Sequence, residues 1–198
     1  RFFVIFLWWI VTKFLFFILF SIVSLSAFAD GITGIFGIEF GKTSTEVKSA
    51  MEEKGWKLSK TDGTTQYYKK PKGTYASLVV DEIKLYFYED KFYDAFITFP
   101  YSTKTEDVIT AVKAIQESYE LTLVNQDSGT ESGIEVLLYS YVDPKMNIFK
   151  LIVMGSKSIS ICTFELSDFS ISAEKKAVEE KKKNEETQKK NKSISSDL

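Results

Sequence analysis

The chain has 198 residues, 44% of them apolar, with 25 Lys and Arg against 27 Asp and Glu, one Cys and no His. Its sole arginine is Arg1, so an imidazole base, an imidazole metal ligand and a guanidinium clamp are all excluded beyond the first residue. The averages conceal three unlike segments: residues 1–29 hold 23 apolar residues and two charges, residues 174–198 hold 14 charges and four apolar residues, and only 30–173 is globular in composition.

Residues 14–25 are an apolar run preceded by Lys13 and followed by Ala27-Phe28-Ala29, a small-x-small cleavage pattern. Residues 1–29 are therefore read as a secretory signal peptide, cleaved after Ala29 to start the mature chain at Asp30. No Cys follows the cleavage site, so no diacylglyceryl anchor is expected. Residues 1–10 lengthen the apolar stretch to what a bilayer span needs, and an uncleaved inner-membrane anchor over 1–28 is the alternative. Initiation at Val11 would leave a compact leader. The expected location is the periplasm or the extracellular space.

The first α+β unit is placed at 30–100. Gly31, Gly34 and Gly37 at spacing three suit an irregular lead-in strand. After Ile38-Glu39-Phe40, Thr43-Ser44-Thr45-Glu46 is a capping box, in which Thr43 accepts from the backbone three residues on and Glu46 reaches back. In the helix it starts, Val47, Ala50 and Met51 share a face, and Gly55-Trp56 fits a left-handed cap whose Trp56 packs back on Met51. Strands are expected at 75–81, 83–88 and 92–99, where β-branched and aromatic residues alternate. Gly41-Lys42-Thr43 sits in the setting of a phosphate loop, but Phe36 stands where that motif needs a glycine.

The second unit is placed at 101–173. Thr103 and Glu106 form a second capping box by the same spacing, and Val108, Val112, Ile115 and Tyr119 make one apolar helical stripe. Strands are expected at 121–125, 135–142, 147–154 and 159–165, joined by tight connections at 127–129, 143–145 and 155–157. Both units contain Ile-x-Phe followed by Thr-x-Thr-Glu, about 60 residues apart, which points to a duplicated unit. The fold class is α+β: two tandem helix-plus-antiparallel-sheet units that can share one sheet.

A three-residue connection at 89–91 pairs Phe87 with Tyr93, Leu85 with Ala95 and Ile83 with Ile97 beneath the helix. The opposite face then carries Lys84, Tyr86, Tyr88, Phe92, Asp94 and Phe96, although a solvated sheet face ordinarily shows polar residues. A two-residue turn would shift the register by one and spoil this sorting. Tyr139 and Tyr141, alternating on the corresponding strand of the second unit, extend the aromatic face. Two accounts of this ribbon stand side by side: covered cross-strand pairs, or an exposed patch that binds a protein or glycan partner.

Paired acids at Asp81-Glu82 and Glu89-Asp90 supply the carboxylates a glycosidase uses, which makes an exported hydrolase a third reading, but they fall at strand ends and turns. No calcium loop and no cofactor motif occurs. Cys162 lies in a strand-like run with no His to activate it and is expected to be a buried thiol. Residues 174–198 mix eight Lys with six acids and suit a disordered or frayed helical tail. The remaining net charge of 30–173 is −6, which argues against nucleic-acid binding.

At Gly41-Lys42-Thr43-x-x-x-Val47, and in the helix followed by antiparallel strands, the chain resembles the small exported domains of the outer-membrane assembly lipoprotein BamE and the β-lactamase inhibitory protein group. It lacks the lipid-bearing Cys and the Leu-Gly-x-Pro helix ending of the assembly factor. Residues 36–41 also look like the opening of exported proteins of host-associated bacteria. The resemblance implies two helix-plus-sheet repeats that bind through the sheet face. The expectation is an exported, non-enzymatic binding module, with a membrane-anchored envelope structural or assembly factor as the alternative; membrane contact is expected only with the leader uncleaved.

Overall fold

The computed structural model describes residues 31–131, 134–156 and 159–196. The leader, its cleavage site and the anchor alternative lie outside the described residues. In chain order the elements are β1 (Gly34–Ile35), β2 (Ile38–Glu39), α1 (Ser44–Glu53), β3 (Lys57–Asp62), β4 (Thr65–Lys69), β5 (Thr74–Tyr75), β6 (Leu78–Val79) and β7 (Glu82–Tyr88), then β8 (Lys91–Thr98), α2 (Thr105–Tyr119), β9 (Thr122–Glu131), β10 (Ile134–Val142), β11 (Ile148–Ser156), β12 (Ile159–Ser167) and α3 (Phe169–Ser196). Eight strands form one sheet in the order β3-β4-β7-β8-β12-β11-β10-β9, and its ladders are antiparallel. The fold is mixed α+β.

Local chemistry explains where the helices start. Thr43 Oγ1 accepts from the Glu46 N–H at 3.3 Å and the Glu46 carboxylate accepts from the Thr43 N–H at 2.8 Å, the capping box expected of this spacing. These bonds from Thr43 hold the Glu46 carboxyl below its usual range. The second box does not form. The turn at Pro100 closes on the Thr103 N–H, and the helix begins one residue later with Lys104 as its N-cap and no side-chain capping bond. At the other end of α1, Gly55 takes φ 80° and the Trp56 N–H donates to Met51 O at 2.9 Å, so the buried indole packs with Met51 in the core.

Both helices lay their stripes on one face of the sheet. Val47 and Met51 of α1 and Val108, Val112 and Ile115 of α2 join a single core with Ile83, Leu85, Ala95, Ile97, Leu151 and Leu166. Phe164, fully buried on β12, sits at the seam where β12 pairs β8; its ring is edge-on to Phe99 at 4.7 Å and Phe149 at 5.1 Å. Cys162 lies on the same face, and burial pushes its thiol up to about 12, which leaves it unreactive. A polar clasp closes one end: Asp143 Oδ2 accepts from the Ile32 N–H at 2.6 Å, and Asn147 Nδ2 donates to Ile32 O at 2.8 Å.

Three sequence expectations change. The strand expected at 75–81 is a two-pair hairpin, β5–β6, turned at Ala76 and Ser77 with φ 47° and 69°. Asp127, Ser128 and Gly129 lie inside β9 rather than in a turn, because the hairpin to β10 closes beyond Glu131. Strands β3 and β4 occupy a stretch that carried no strand expectation. The tail is helical and starts at Phe169.

Two stability outcomes follow from the caps and the seam. Thr43→Ala is expected to cost about 1 kcal/mol in urea unfolding and Thr103→Ala much less, since only Thr43 caps a helix. Phe164→Ala is expected to cost about 3–5 kcal/mol as an unfilled cavity between the rings of Phe99, Phe149 and Tyr75.

Candidate functional site

The β7–β8 hairpin decides which side chains reach the face opposite α1 and α2, called here the outer face. Its turn has two residues, Glu89 and Asp90, with φ 48° and 61°, and pairs Tyr88 with Lys91 and Phe87 with Phe92. Continued unchanged, that register would put Asp94 in the core and turn Ala95 and Ile97 outward. The ladder instead shifts between Tyr86 and Phe87, leaving Tyr93 as an extra residue in β8, and from there Tyr86 faces Asp94, Leu85 faces Ala95 and Ile83 faces Ile97. The expected pairing of Phe87 with Tyr93 is therefore corrected to Phe92, while the rest of the expected ladder is present.

The bulge sorts the candidate residues. Tyr86, Tyr88 and Phe96 lie on the outer face, half-buried, with the rings of Tyr86 and Phe96 edge-to-face at 5.4 Å. Phe92 does not join them: it is fully buried in the core between Phe40 and Phe87, and its N–H and C=O bond to Lys42 and Gly41. Tyr139 and Tyr141 are corrected as well. Cross-strand register places Tyr139 opposite Leu151 and Tyr141 opposite Phe149, on the helix side of the sheet, with Tyr141 buried. They cannot extend the outer aromatic face.

Sequence reasoning missed what does extend it. One row across the outer face reads Tyr67, Lys84, Phe96, Glu165, Lys150 and Ser140. The ammonium groups of Lys60 and Lys84 lie 5.3 and 5.6 Å from the centre of the Tyr67 ring. Beyond Lys150, the outer side chains of β10 to β12 are aliphatic apart from Thr163, which faces Ile152: Leu138 faces Ile152, Val136 faces Met154, and Met154 faces Ile161. Met154 and Ile161 are 37% and 40% exposed. The signal was present at 148–154, Ile-Phe-Lys-Leu-Ile-Val-Met, where both alternating sets are apolar save Lys150; a strand that reads so expects cover on both faces.

Between the aromatic and aliphatic wings lies a polar centre. Lys150 Nζ and Glu165 Oε1 are 2.6 Å apart, and Glu165, Thr163 and Ser167 are buried. Asp94 stands opposite Ser167 and diagonal to Glu165. Its Oδ1 is enclosed with no hydrogen-bond partner among the described residues, a costly state for a charged oxygen. Burial, then the nearby Glu165 carboxylate, push the Asp94 carboxyl up to about 8, against the opposing pull of Lys150, the Ala95 N–H and Lys175. Asp94 accordingly holds a proton at neutral pH. Burial also raises the Tyr86 phenol, with Asp94 adding to it. This is a carboxylic acid beside a carboxylate, but the acid's free oxygen faces protein rather than solvent.

No group of three or more metal-ligating side chains occurs among the described residues, and none of their helices is long and apolar enough to cross a membrane. A cleft of about 610 Å³ lies between the β5–β6 hairpin and α2.

The Asp94 proton makes stability pH-dependent with a definite sign. Between 3.8 and about 8 the folded chain keeps a proton that the unfolded chain releases, so this group subtracts stability as pH rises. Asp94→Asn removes the effect: the urea midpoint of the variant is expected to gain on wild type as pH climbs from about 5 to 8 and to level off above, whereas parallel pH curves for the two proteins would refute it. No family model matches the chain, and no curated protein or solved structure matches it.

Proposed function

We propose that the protein is an exported, non-enzymatic binding module that docks a protein partner on the outer face of its sheet. The observation that carries this reading is the composition of that face. Helices α1 and α2 pack on one side of the sheet, and the other carries Tyr67, Tyr86, Tyr88 and Phe96 on one wing and Leu138, Ile152, Met154 and Ile161 on the other, where a solvated sheet presents polar residues. Aromatic and aliphatic wings around a polar centre suit a protein interface, in which buried aromatics supply most of the affinity and central polar pairs set register. Export rests on residues 14–29.

We also read the two halves as a duplication. The supporting observation is order: α1 is followed by β3, β4, β7 and β8, and α2 by β9, β10, β11 and β12, with the last strands of the two sets paired at the centre of the sheet. The β5–β6 hairpin is then an insertion in the first half.

Affinity capture from envelope and culture fractions tests the docking face. Tyr86→Ser/Phe96→Ser and, separately, Ile152→Ser/Met154→Ser are expected to lower recovery of the same partner at least tenfold while the thermal midpoint shows the chain still folded. Unchanged recovery with both folded variants removes the proposal, and a partner released by glycosidase treatment would replace protein with glycan.

A further inference from the structure

We propose that the first turns of α3 are a detachable strap over the aromatic wing of the outer face, so that a docking partner competes with α3 for Tyr88 and Tyr93; the inference rests on the docking reading above.

The strap is pinned at one end. The Asp168 N–H donates to Tyr93 O at 2.8 Å, the Asp168 carboxylate accepts from the Ile171 N–H at 2.8 Å, and Asn147 Oδ1 accepts from the Phe169 N–H at 3.3 Å. From that pin the helix touches the sheet along one narrow stripe. Ile171, Ser172, Lys175 and Val178 are half-buried, whereas Glu174, Lys176, Ala177 and every residue from Glu179 to Lys189 are exposed. The spacing 171, 175, 178 is a single helix face, little more than two turns long. After Val178 the sequence offers no apolar residue until Ile194, and the described run 179–189 buries nothing against the fold.

Beneath the stripe lie aromatic side chains of the proposed docking wing. Lys175 Nζ is 2.7 Å from Tyr93 Oη and 5.0 Å from the centre of its ring. These contacts, with the Asp168 bond to Tyr93 O, place the first turns of α3 against β8, and Glu174 and Glu179 act electrostatically on Tyr88 and Lys175 on Asp94. Tyr93 is only 7% exposed and stands outside the buried cluster that α1 and α2 join; the bulge turns it out of the ladder, and Lys175 of α3 lies against its ring and hydroxyl. The contact on Tyr93 is one ammonium on its ring and hydroxyl, and Ile171 and Val178 are half-buried on the same helix stripe. The acidic groups that face Lys175 are Asp94, which holds its proton, and Glu179, which is an exposed neighbour one turn along α3 at 3.9 Å. A contact built this way detaches without opening the core, because Phe169 and Asp168 hold the helix start while the stripe beyond them lifts.

The test uses the full chain and tetranitromethane as a probe of tyrosine accessibility, with nitrated positions mapped by mass spectrometry. Tyr68, fully buried in the core, is the internal control. Lys175→Glu is expected to raise the nitration rate of Tyr93 at least fivefold and to raise Tyr88 with it, leaving Tyr68 and the thermal midpoint as in wild type. Val178→Asp, on the same stripe, is expected to act in the same direction, and Lys175→Arg to behave as wild type. Unchanged Tyr93 nitration in both opening variants overturns the strap. A rise at Tyr68 in step with Tyr93 overturns it too, since α3 would then be an integral part of the core. In the capture assay the opened variants are expected to recover several-fold more partner than wild type. Equal recovery overturns the competition, whereas faster nitration with no partner recovered from any form shows a strap that opens over a face with no docking role, a failure of the docking reading itself.

Discussion

One extra residue in β8 fixes most of what is distinctive about this molecule. The two-residue Glu89-Asp90 turn is sterically suited to the right-handed twist of the hairpin, yet taken alone it puts the wrong half of β8 into the core. Tyr93 repairs the mismatch by bulging, at the expense of one unpaired ladder position. Its consequences run in both directions from the sheet. On the helix side, Phe92 turns inward and its backbone is free to bond Gly41 and Lys42, tying the start of α1 to the hairpin, while Asp90 accepts from the Ser44 N–H at 3.1 Å. On the outer side, Asp94 is delivered to the polar centre and Tyr93 to the underside of α3.

The outer face gains its character from a second constraint, the central position of β12 and β8. Strands in the middle of a wide sheet are flanked on both sides, so even their outward side chains are screened by long neighbours. Glu165, Thr163 and Ser167 are buried although no helix of the core covers them. A carboxylate in that position needs a partner, and Lys150, directly opposite on β11, supplies it. Among the described residues Asp94 Oδ1 has no hydrogen-bond partner, and its carboxyl keeps a proton instead. The same crowding that makes the centre polar and dry leaves the wings apolar and open, because away from the centre the sheet has fewer neighbours to do the screening.

Alternation made much of this legible in the sequence. Ile83, Leu85, Ala95 and Ile97 sort to the core, and Tyr86, Tyr88 and Phe96 to the other face, by simple parity, and the Thr43 capping box was a local pattern with a local outcome. Where reading failed, the deciding interaction was non-local or the composition atypical. Strand β3, Lys-Leu-Ser-Lys-Thr-Asp, is almost wholly exposed at the sheet edge, so it carries the residues of a loop. The acidic and glycine residues at 127–129 imitate a turn because β9 is likewise an edge with no core to fill. The face of Tyr139 and Tyr141 depends on how β10 registers against β11 and β11 against β12, a chain of pairings that no window around residue 140 contains. The bulge is the sharpest instance: a three-residue turn and a two-residue turn with a bulge give the same ladder beyond Tyr86 and differ only in the fate of Phe92 and Tyr93.

The edges bear on where a partner can engage. An eight-stranded open sheet has two free edges, and either can recruit another chain by strand addition. Strand β3 guards its edge with Lys57 and Lys60 and with a register irregularity at Ser59, and the Lys60 ammonium is held at 2.8 Å by Asp62, which keeps charge along the rim. Strand β9 guards its own with composition: after Leu123 and Val124 come Asn, Gln, Asp, Ser, Gly and Thr, a run with poor strand propensity and little to bury. With both edges defended in this way and α1 and α2 packed on one face, the outer face is the one that presents aromatic and aliphatic wings together. Among the described residues α3 competes for cover on that face, through a stripe whose last half-buried residue before the exposed run 179–189 is Val178.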